Sequence, residues 1–545
     1  MSAEKPRQKK YSIRSSRQGE NTELKRGGGG QTRRNAQGRE RNRRAQHERA
    51  FSASAPRARR RTSDPARKTA FEVINSVALS DSYANLVLPQ TIRKHRLDQR
   101  DAGFATELTY GTLRYQGRYD AILTHCVDRP LEKTGAQILT CLRMGVHQLL
   151  AMRVPAHAAL NSTVALARAE IGSGPAHFIN AVLRRVSEKT PEQWEELLVS
   201  EAKDELHQLS VSYSHPTWIV RAFRQALVAH GRDVHEITKL LEADNLAPVV
   251  NLVALPQLGS LDEALAKGAQ KGELVEGSAL YSQGDLGRLE SVRQGTVRAQ
   301  DVGSQLVARA LAQAPLSGKD EAWLDLCAGP GGKAALLGAL VQERGGVLIA
   351  NESAPHRATL VEKSLKPLDS QRYRVLTGDG RAIAQTLKAQ PHVPEQLRSS
   401  MLFDRVMVDV PCSGLGALRR RPEARWRKSP RDIAELLTLQ KQLFDAAVQQ
   451  TRSGGLIAYV TCSPHMAETR NIVQDILRAH DVQLLDSAQA LAEVALTDAQ
   501  GQSLLSGERV VGCAVEGSGA TATTAQLWPH VHGTDAMFFA LFQKK

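Results

Sequence analysis

Apolar residues along the chain change their period twice. From residue 66 to 187 they recur at helical spacing. Phe71, Ile74 and Val77 begin the pattern; Ile138, Leu142, Val146, Leu149 and Leu150 form a second stripe, and Phe178, Ile179, Val182, Leu183 and Val186 a third. Ser63-Asp64-Pro65 stands ahead of them, a capping side chain followed by proline, which predicts a helix start. We expect an all-α bundle over 63–205. Residues 206–297 are mixed: Trp218–Leu227 and Leu261–Lys267 read as helices and Val249–Val253 as a strand, predicting a small α+β domain. From residue 298 the chain alternates. Short β-branched runs at Trp323–Leu326, Val347–Ala350, Arg374–Leu376, Phe403–Val410 and Leu456–Thr461 are separated by helical stretches. Ser429-Pro430 opens one of these, with Ile433, Leu436, Leu437, Leu443, Ala447 and Val448 on one face. Alternating βα units imply a doubly wound, Rossmann-like α/β domain over 298–545, its sheet mostly parallel and covered on both faces. In such sheets a ligand sits beyond the carboxyl ends of the strands, near the point where strand order reverses.

Residues 1–62 fit neither period. They are rich in Arg, Gln, Gly and Ser and hold almost nothing that could fill a core, so a disordered tail is expected. Charge separates this tail from the rest. The chain of 545 residues has 72 Lys/Arg against 57 Asp/Glu, a net charge of +15. Residues 1–68 hold 21 basic and 6 acidic residues, which leaves 51 of each for the remainder. A solubilising tail and a sequence-blind phosphate-binding arm both fit that excess, and the second would weaken with salt. No apolar run approaches the ~20 residues of a membrane span. Met1-Ser2-Ala3-Glu4-Lys5-Pro6-Arg7 has no apolar stretch behind it, which argues against a secretory signal. None of the six cysteines (Cys126, Cys141, Cys327, Cys412, Cys462, Cys513) is paired as CxxC, so no metal site is expected. Reduced thiols in the cytoplasm are the expectation.

Candidate chemistry begins after the first strand of the α/β region, at Cys327-Ala328-Gly329-Pro330-Gly331-Gly332-Lys333. Glycines let a backbone turn tightly and approach a ligand closely. The run is not a phosphate loop, because Cys327 stands five before Gly332 and Ala334 follows Lys333. It does not follow the dinucleotide GxGxxG pattern either. S-adenosylmethionine remains, with the loop wrapping its amino-acid portion; a tight structural turn is the plain alternative. Carboxylates downstream favour the cofactor. Glu352 follows the second strand, where it can accept from ribose hydroxyls, with Asn351 beside it. Asp379 follows the third and can accept from an adenine amine. Asp409 ends the fourth.

Asp409-Val410-Pro411-Cys412-Ser413-Gly414 follows the fourth strand, and Thr461-Cys462-Ser463 ends the fifth. In a sheet ordered 3-2-1-4-5 those strands are neighbours, about 4.8 Å apart, so both thiols would face one pocket. Carbon 5 of a pyrimidine is a poor nucleophile. A thiolate adding at carbon 6 makes it enamine-like and able to attack a methyl sulfonium, and a second group can then assist release. A free thiol with a pKa of about 8.5 is mostly protonated at neutral pH, so such a site must stabilise a thiolate. Inert buried thiols are the plain alternative, and the one that fits Cys126, Cys141 and Cys513. Methylation of an exocyclic amine is a rival chemistry. It favours Asp/Asn-Pro-Pro-aromatic where this chain has Asp409-Val410-Pro411-Cys412.

Together, and in this order, Cys327–Lys333, Asp409–Gly414 and Thr461-Cys462-Ser463 resemble the Sun (Nop2-like) family of RNA cytosine-C5 methyltransferases. Gln300-Asp301-Val302-Gly303-Ser304-Gln305 resembles that family's opening motif. Upstream, Glu107–Arg114 and His177–Arg185 resemble the NusB-like RNA-binding helical domain. The whole chain thus resembles the bacterial small-subunit ribosomal RNA (cytosine-C5) methyltransferases. The resemblance implies Cys462 as nucleophile, Cys412 as the residue assisting release, and Cys327–Lys333, Glu352, Asp379 and Asp409 as the binding set for S-adenosyl-L-methionine, with Asp409 also near the target base. It implies an RNA partner, small-subunit rRNA, and no membrane. The same chemistry on tRNA, or an inactive RNA-binding assembly factor, are the alternatives. Three positions depart from the family pattern: Gly329, where alanine is common; Asn351-Glu352; and Asp535-Ala536-Met537-Phe538-Phe539 near the end. Finally, residues 419–428 hold six basic residues and one acid just after Cys412. They suggest phosphate contacts beside the pocket, with Trp426 either stacked on a base or packed in the protein.

Overall fold

The computed structural model describes residues 64–545, apart from 81, 283, 391–393, 395–396, 398–399, 507–511 and 516–521. The basic tail lies outside the described residues. The first helix, Pro65–Leu79, starts where the capping pattern predicts: Asp64 accepts from the Ala66 and Arg67 N–H groups. It packs with Gln99–Arg114, Ala136–Leu150 and Ser173–Val186 around one core that includes Phe71, Ile74, Leu108, Leu142 and Ile179. This is the helical NusB-like body.

Residues 206–297 divide their apolar side chains between separate cores. Helices Thr217–Ala229 and Ile237–Asn245 bury Ile219, Val220, Phe223, Leu240 and Leu241 against Leu415, Leu418 and Trp528 of the C-terminal region. The strands β1 (Val250–Ala254), β2 (Gln270–Lys271), β3 (Ser278–Tyr281) and β4 (Val297–Ala299) form an antiparallel sheet in the order β2-β3-β1-β4. Its own core is small: Leu252, Ala264, Ala279, Tyr281, Leu289 and Val297. Strands this short leave little surface for the broad apolar stripe of the Thr217–Ala229 helix, which packs elsewhere.

The C-terminal sheet contains β5 (Ala322–Asp325), β6 (Val347–Glu352), β7 (Tyr373–Thr377), β8 (Phe403–Asp409), β9 (Thr451–Thr461), β10 (Val482–Leu484), β11 (Gly512–Ala514), β12 (Thr523–Gln526) and β13 (Phe538–Lys544). Its parallel half runs β7-β6-β5-β8-β9, the expected 3-2-1-4-5 order. β13 then lies antiparallel to β9, with Phe538 opposite Thr461, and β12, β11 and β10 extend that side. The segment that departs from the family pattern before β13 therefore leads into a regular strand. Two large cores, one on each face, sandwich the sheet. Strand order reverses between β5 and β8. The candidate site loops leave the sheet from the carboxyl ends of β5, β6, β8 and β9, and from β7 for Asp379.

Candidate active site

The glycine loop is held against the sheet by its own backbone. Leu326 N–H donates to Met407 O at 2.9 Å, Ala328 N–H to Asn351 O at 2.8 Å, and Gly331 N–H to Ala328 O at 2.7 Å. Gly331 has φ +108°, and a Cβ there would lie 2.5 Å from Ser364 Cβ and 3.0 Å from Val361 Cα, so only glycine fits. At Gly329 a Cβ would fall 2.0 Å from Glu352 Oε2. The glycine at this family-variable position thus lets Glu352 lean directly on the loop. Helix Gly332–Glu343 starts at the loop and turns its free N–H groups toward it.

Carboxylates ring this loop. Glu352, 3% exposed, pairs with Arg357 at 3.4 Å and accepts from Ala354 N–H at 3.0 Å. Asp379 is exposed, caps the short helix Gly380–Ala382 and pairs with Arg381 at 2.5 Å, which holds its carboxyl below the usual range. Asn351 is not free to touch a ligand through its amide nitrogen. That group donates to Leu326 O and Gly378 O, both at 3.1 Å, and so ties two site loops together. Asp325, at the end of β5, was not singled out by its sequence context. It is 1% exposed with no side-chain hydrogen-bond partner, and burial together with the nearby Asp409 pushes its pKa up to about 7 against the Lys333 ammonium and the Cys327 backbone N–H. Cys327 is a thiol pushed well up by burial and by the same carboxylates, which leaves its backbone as the useful part. A glycine cradle, the buried acid Asp325, Glu352 at the end of β6 and Asp379 past β7 form a donor and acceptor set that fits the ammonium, ribose hydroxyls and adenine amine of S-adenosylmethionine.

Beside the loop the two cysteines meet, with Cys412 Sγ 3.3 Å from Cys462 Sγ. Their convergence follows from register: β8 and β9 are adjacent, Asp409 pairs with Val460, and Val410 N–H donates to Val460 O at 3.0 Å. Gly416 N–H then donates to Cys462 O at 2.8 Å, and a Cβ on Gly416 would lie 2.1 Å from Ala536 O, so this turn also requires glycine. Lys333 turns back from its helix to pair with Asp409 at 2.8 Å. A hydrogen bond from Cys412, helped by the Lys333 ammonium, lowers the Cys462 pKa against burial and the carboxylates of Asp409 and Asp535. Cys412 moves the opposite way, for the same shared hydrogen bond and for burial. The two thiols thus share one hydrogen bond and titrate as a pair, with Cys462 shifted down and Cys412 shifted up. Among the other cysteines, burial pushes Cys126 up to about 11 and Cys141 up to about 12, as inert core thiols.

The basic run 419–428 turns part of its charge inward, onto protein partners, while Arg420 and Arg421 stay exposed. Arg419 bridges Asp301 at 3.2 Å and Asp535 at 3.5 Å, and Arg420 pairs with Asp535. Arg425 is 0% exposed. It donates to Arg114 O (2.9 Å), Ser214 O (3.1 Å), Asn245 Oδ1 (2.9 Å) and Asp244 O (2.9 Å). Arg427 donates to Val77 O at 3.0 Å and lies over the Tyr83 ring at 4.8 Å. Trp426 lies against Gly117, where a Cβ would touch its ring at 2.3 Å, and remains 37% exposed. The run is a strap that fastens the catalytic domain to the helical body. Helix ends offer clustered carbonyls without internal partners, and these draw the guanidinium groups inward.

Residues 299–543 match the family described as 16S rRNA methyltransferase RsmB/F, and residues 64–188 match the NusB family. The ribosomal RNA small subunit methyltransferase B of Vibrio vulnificus (strain YJ016) is 31% identical over 408 residues, covering 73% of this chain and 87% of the relative. The chain belongs to the RsmB/F family. The putative methyltransferase Rv1407 of Mycobacterium tuberculosis (strain ATCC 25618 / H37Rv) is 42% identical over 488 residues, 89% of this chain and 98% of that protein. Among solved structures, PH0851 superposes with a TM-score of 0.68 at 19% identity, over 89% of this chain and 99% of that one, and so shares the fold. As an RsmB/F member the protein is an S-adenosylmethionine-dependent rRNA methyltransferase. Among the described residues no helix is long and apolar enough to cross a membrane.

Proposed function

We propose that this RsmB/F enzyme methylates carbon 5 of a cytosine in small-subunit ribosomal RNA, in the cytoplasm, through a covalent bond between Cys462 and carbon 6. The observation that carries the reading is the 3.3 Å contact between the Cys412 and Cys462 sulfurs at the sheet edge that also holds the glycine loop. The bound cofactor supplies a methyl group on a positively charged sulfur. Cys462, as thiolate, adds to carbon 6 of a flipped-out base and makes carbon 5 nucleophilic. Asp409, tied to Lys333, faces the base. After methyl transfer the proton on carbon 5 passes to Cys412, whose own proton has by then gone to solvent; the pair left on carbon 5 closes the double bond to carbon 6, and the bond between sulfur and carbon 6 breaks, returning its electron pair to Cys462. Cys412 thereby assists that release. Cys327–Lys333 with Glu352 and Asp379 hold the cofactor.

The test separates the two sulfurs. Cys412→Ala should add to RNA but release it slowly, giving a denaturant-stable protein–RNA adduct. Cys462→Ala should give neither adduct nor product. Normal methylation by Cys462→Ala would overturn the assignment. Mapping 5-methylcytosine in RNA from a deletion strain, complemented by wild type, reads the substrate: a site lost from tRNA instead of small-subunit rRNA would correct it.

A further inference from the structure

Cys412 and Cys462 sit on separate loops, and one buried carboxylate touches the residue after each. Glu468 is 0% exposed. Its Oε1 accepts from the Ser413 backbone N–H at 2.8 Å and from Gln440 Nε2 at 3.1 Å. Its Oε2 accepts from Ser413 Oγ at 2.5 Å and from Ser463 Oγ at 2.7 Å. Gln440 also donates to Pro411 O, at 2.9 Å, so the residue before Cys412 is held as well. Every group aimed at the carboxylate is a neutral donor. An ionised carboxylate, which only accepts, satisfies all of them; an amide can keep these contacts by donating its NH₂ to the two serine hydroxyls, but it carries no charge.

We propose that Glu468 is the positioning residue of the two-cysteine centre, tying the Cys412 loop to the Cys462 loop so that the two sulfurs stay in contact. The inference rests on the two-cysteine reading above. Three facts support it. The bonds from Ser413 and Ser463 fix the two loops to a common point, so neither sulfur can drift without breaking a buried hydrogen bond. The hydrogen bond with Cys462 and burial push Cys412 up, and the charge on Glu468 adds to them. Cys462, by contrast, has the Lys333 ammonium as a neighbour. The Cys412 proton thus stays where it can be donated to Cys462.

Thiol labelling in the free protein tests this without RNA. With iodoacetamide and mass-spectrometric mapping, wild type should label Cys462 ahead of Cys412 by about tenfold or more. In Glu468→Gln that preference should fall below about threefold, because both thiols then compete for the charge. Its kcat should drop on the order of 10²-fold while KM for RNA changes little, as expected for misplaced reacting groups. Glu468→Asp, which keeps the charge, should recover part of the loss. Wild-type kcat together with an unchanged Cys462 preference in Glu468→Gln would overturn the proposal. Should that variant not fold by circular dichroism, Ser413→Ala and Ser463→Ala decide instead. Each should lose selectivity and roughly tenfold in kcat, and wild-type behaviour in both would overturn the proposal. A wild type that labels Cys462 first yet makes no 5-methylcytosine would sink the proposed function and leave the clamp intact.

Discussion

Gly331 leaves no room for a side chain, and two independent reasons add up there. A Cβ would strike Ser364 and the Val361 backbone, and φ +108° disfavours any L-residue. Gly331→Ala should cost about 2–4 kcal/mol, combining left-handed strain with overpacking, and should abolish cofactor binding; urea unfolding and calorimetric titration read the two effects. Asp325 makes an opposite kind of prediction. Its folded pKa of about 7 lies above the ordinary 3.8, so between those values the folded protein holds a proton that the unfolded chain has lost. Stability from this group is therefore present at low pH and declines as pH rises toward 7. Asp325→Asn should raise the melting temperature at pH 8, leave it nearly unchanged at pH 4, and weaken cofactor binding at both. A melting temperature that rises equally at both pH values would show that the carboxylate does not titrate there. Sequence made the glycine loop and the cysteines legible because each motif is contiguous. Asp325, Glu468 and Arg425 were not, because what each does is decided by neighbours far along the chain: Glu468 by residues 413, 440 and 463, and Arg425 by residues 114, 214, 244 and 245.

Among elements, the parallel strands and the capped helices were readable from period and punctuation. Helix Pro430–Gln450 starts at the Ser429 capping box, as its Ser-Pro signal implies. β9 was read too short. It begins at Thr451, where Gly454-Gly455 and a register shift opposite Phe403 and Arg405 hide the alternation. The antiparallel additions β10–β13 carry weak local signals and exist because β13 finds an open edge on β9. The inward-facing part of the strap was not legible for a clear reason: charge density marks a run as basic but not which of its charges face solvent and which face helix ends. Arg425→Ala should leave several buried carbonyls without donors and cost about 3–5 kcal/mol. Scanning calorimetry should then resolve separate transitions for the helical body and the catalytic domain. A single unshifted transition would show that the strap contributes little.

Over the whole molecule, charge and fold are divided between different parts of the chain. The excess of +15 lies within residues 1–68, while the remainder balances 51 basic against 51 acidic residues. Removing residues 2–62 should weaken RNA binding most at low salt and flatten the dependence of log Kd on log salt, since fewer phosphate counterions are released. An unchanged slope would assign the tail to solubility alone. Net charge alone could not show how the domains join; that depends on Arg425, whose partners are mainly main-chain oxygens: Arg114 O, Ser214 O and Asp244 O. Such a joint reads the main chain at the ends of helices Gln99–Arg114 and Ile237–Asn245 and at Ser214, with Asn245 as the one side chain among Arg425's partners. Only one of those oxygens, Arg114 O, belongs to the helical body, so a change that displaces the end of helix Gln99–Arg114 would loosen that body from the catalytic domain even with every side chain at the joint kept.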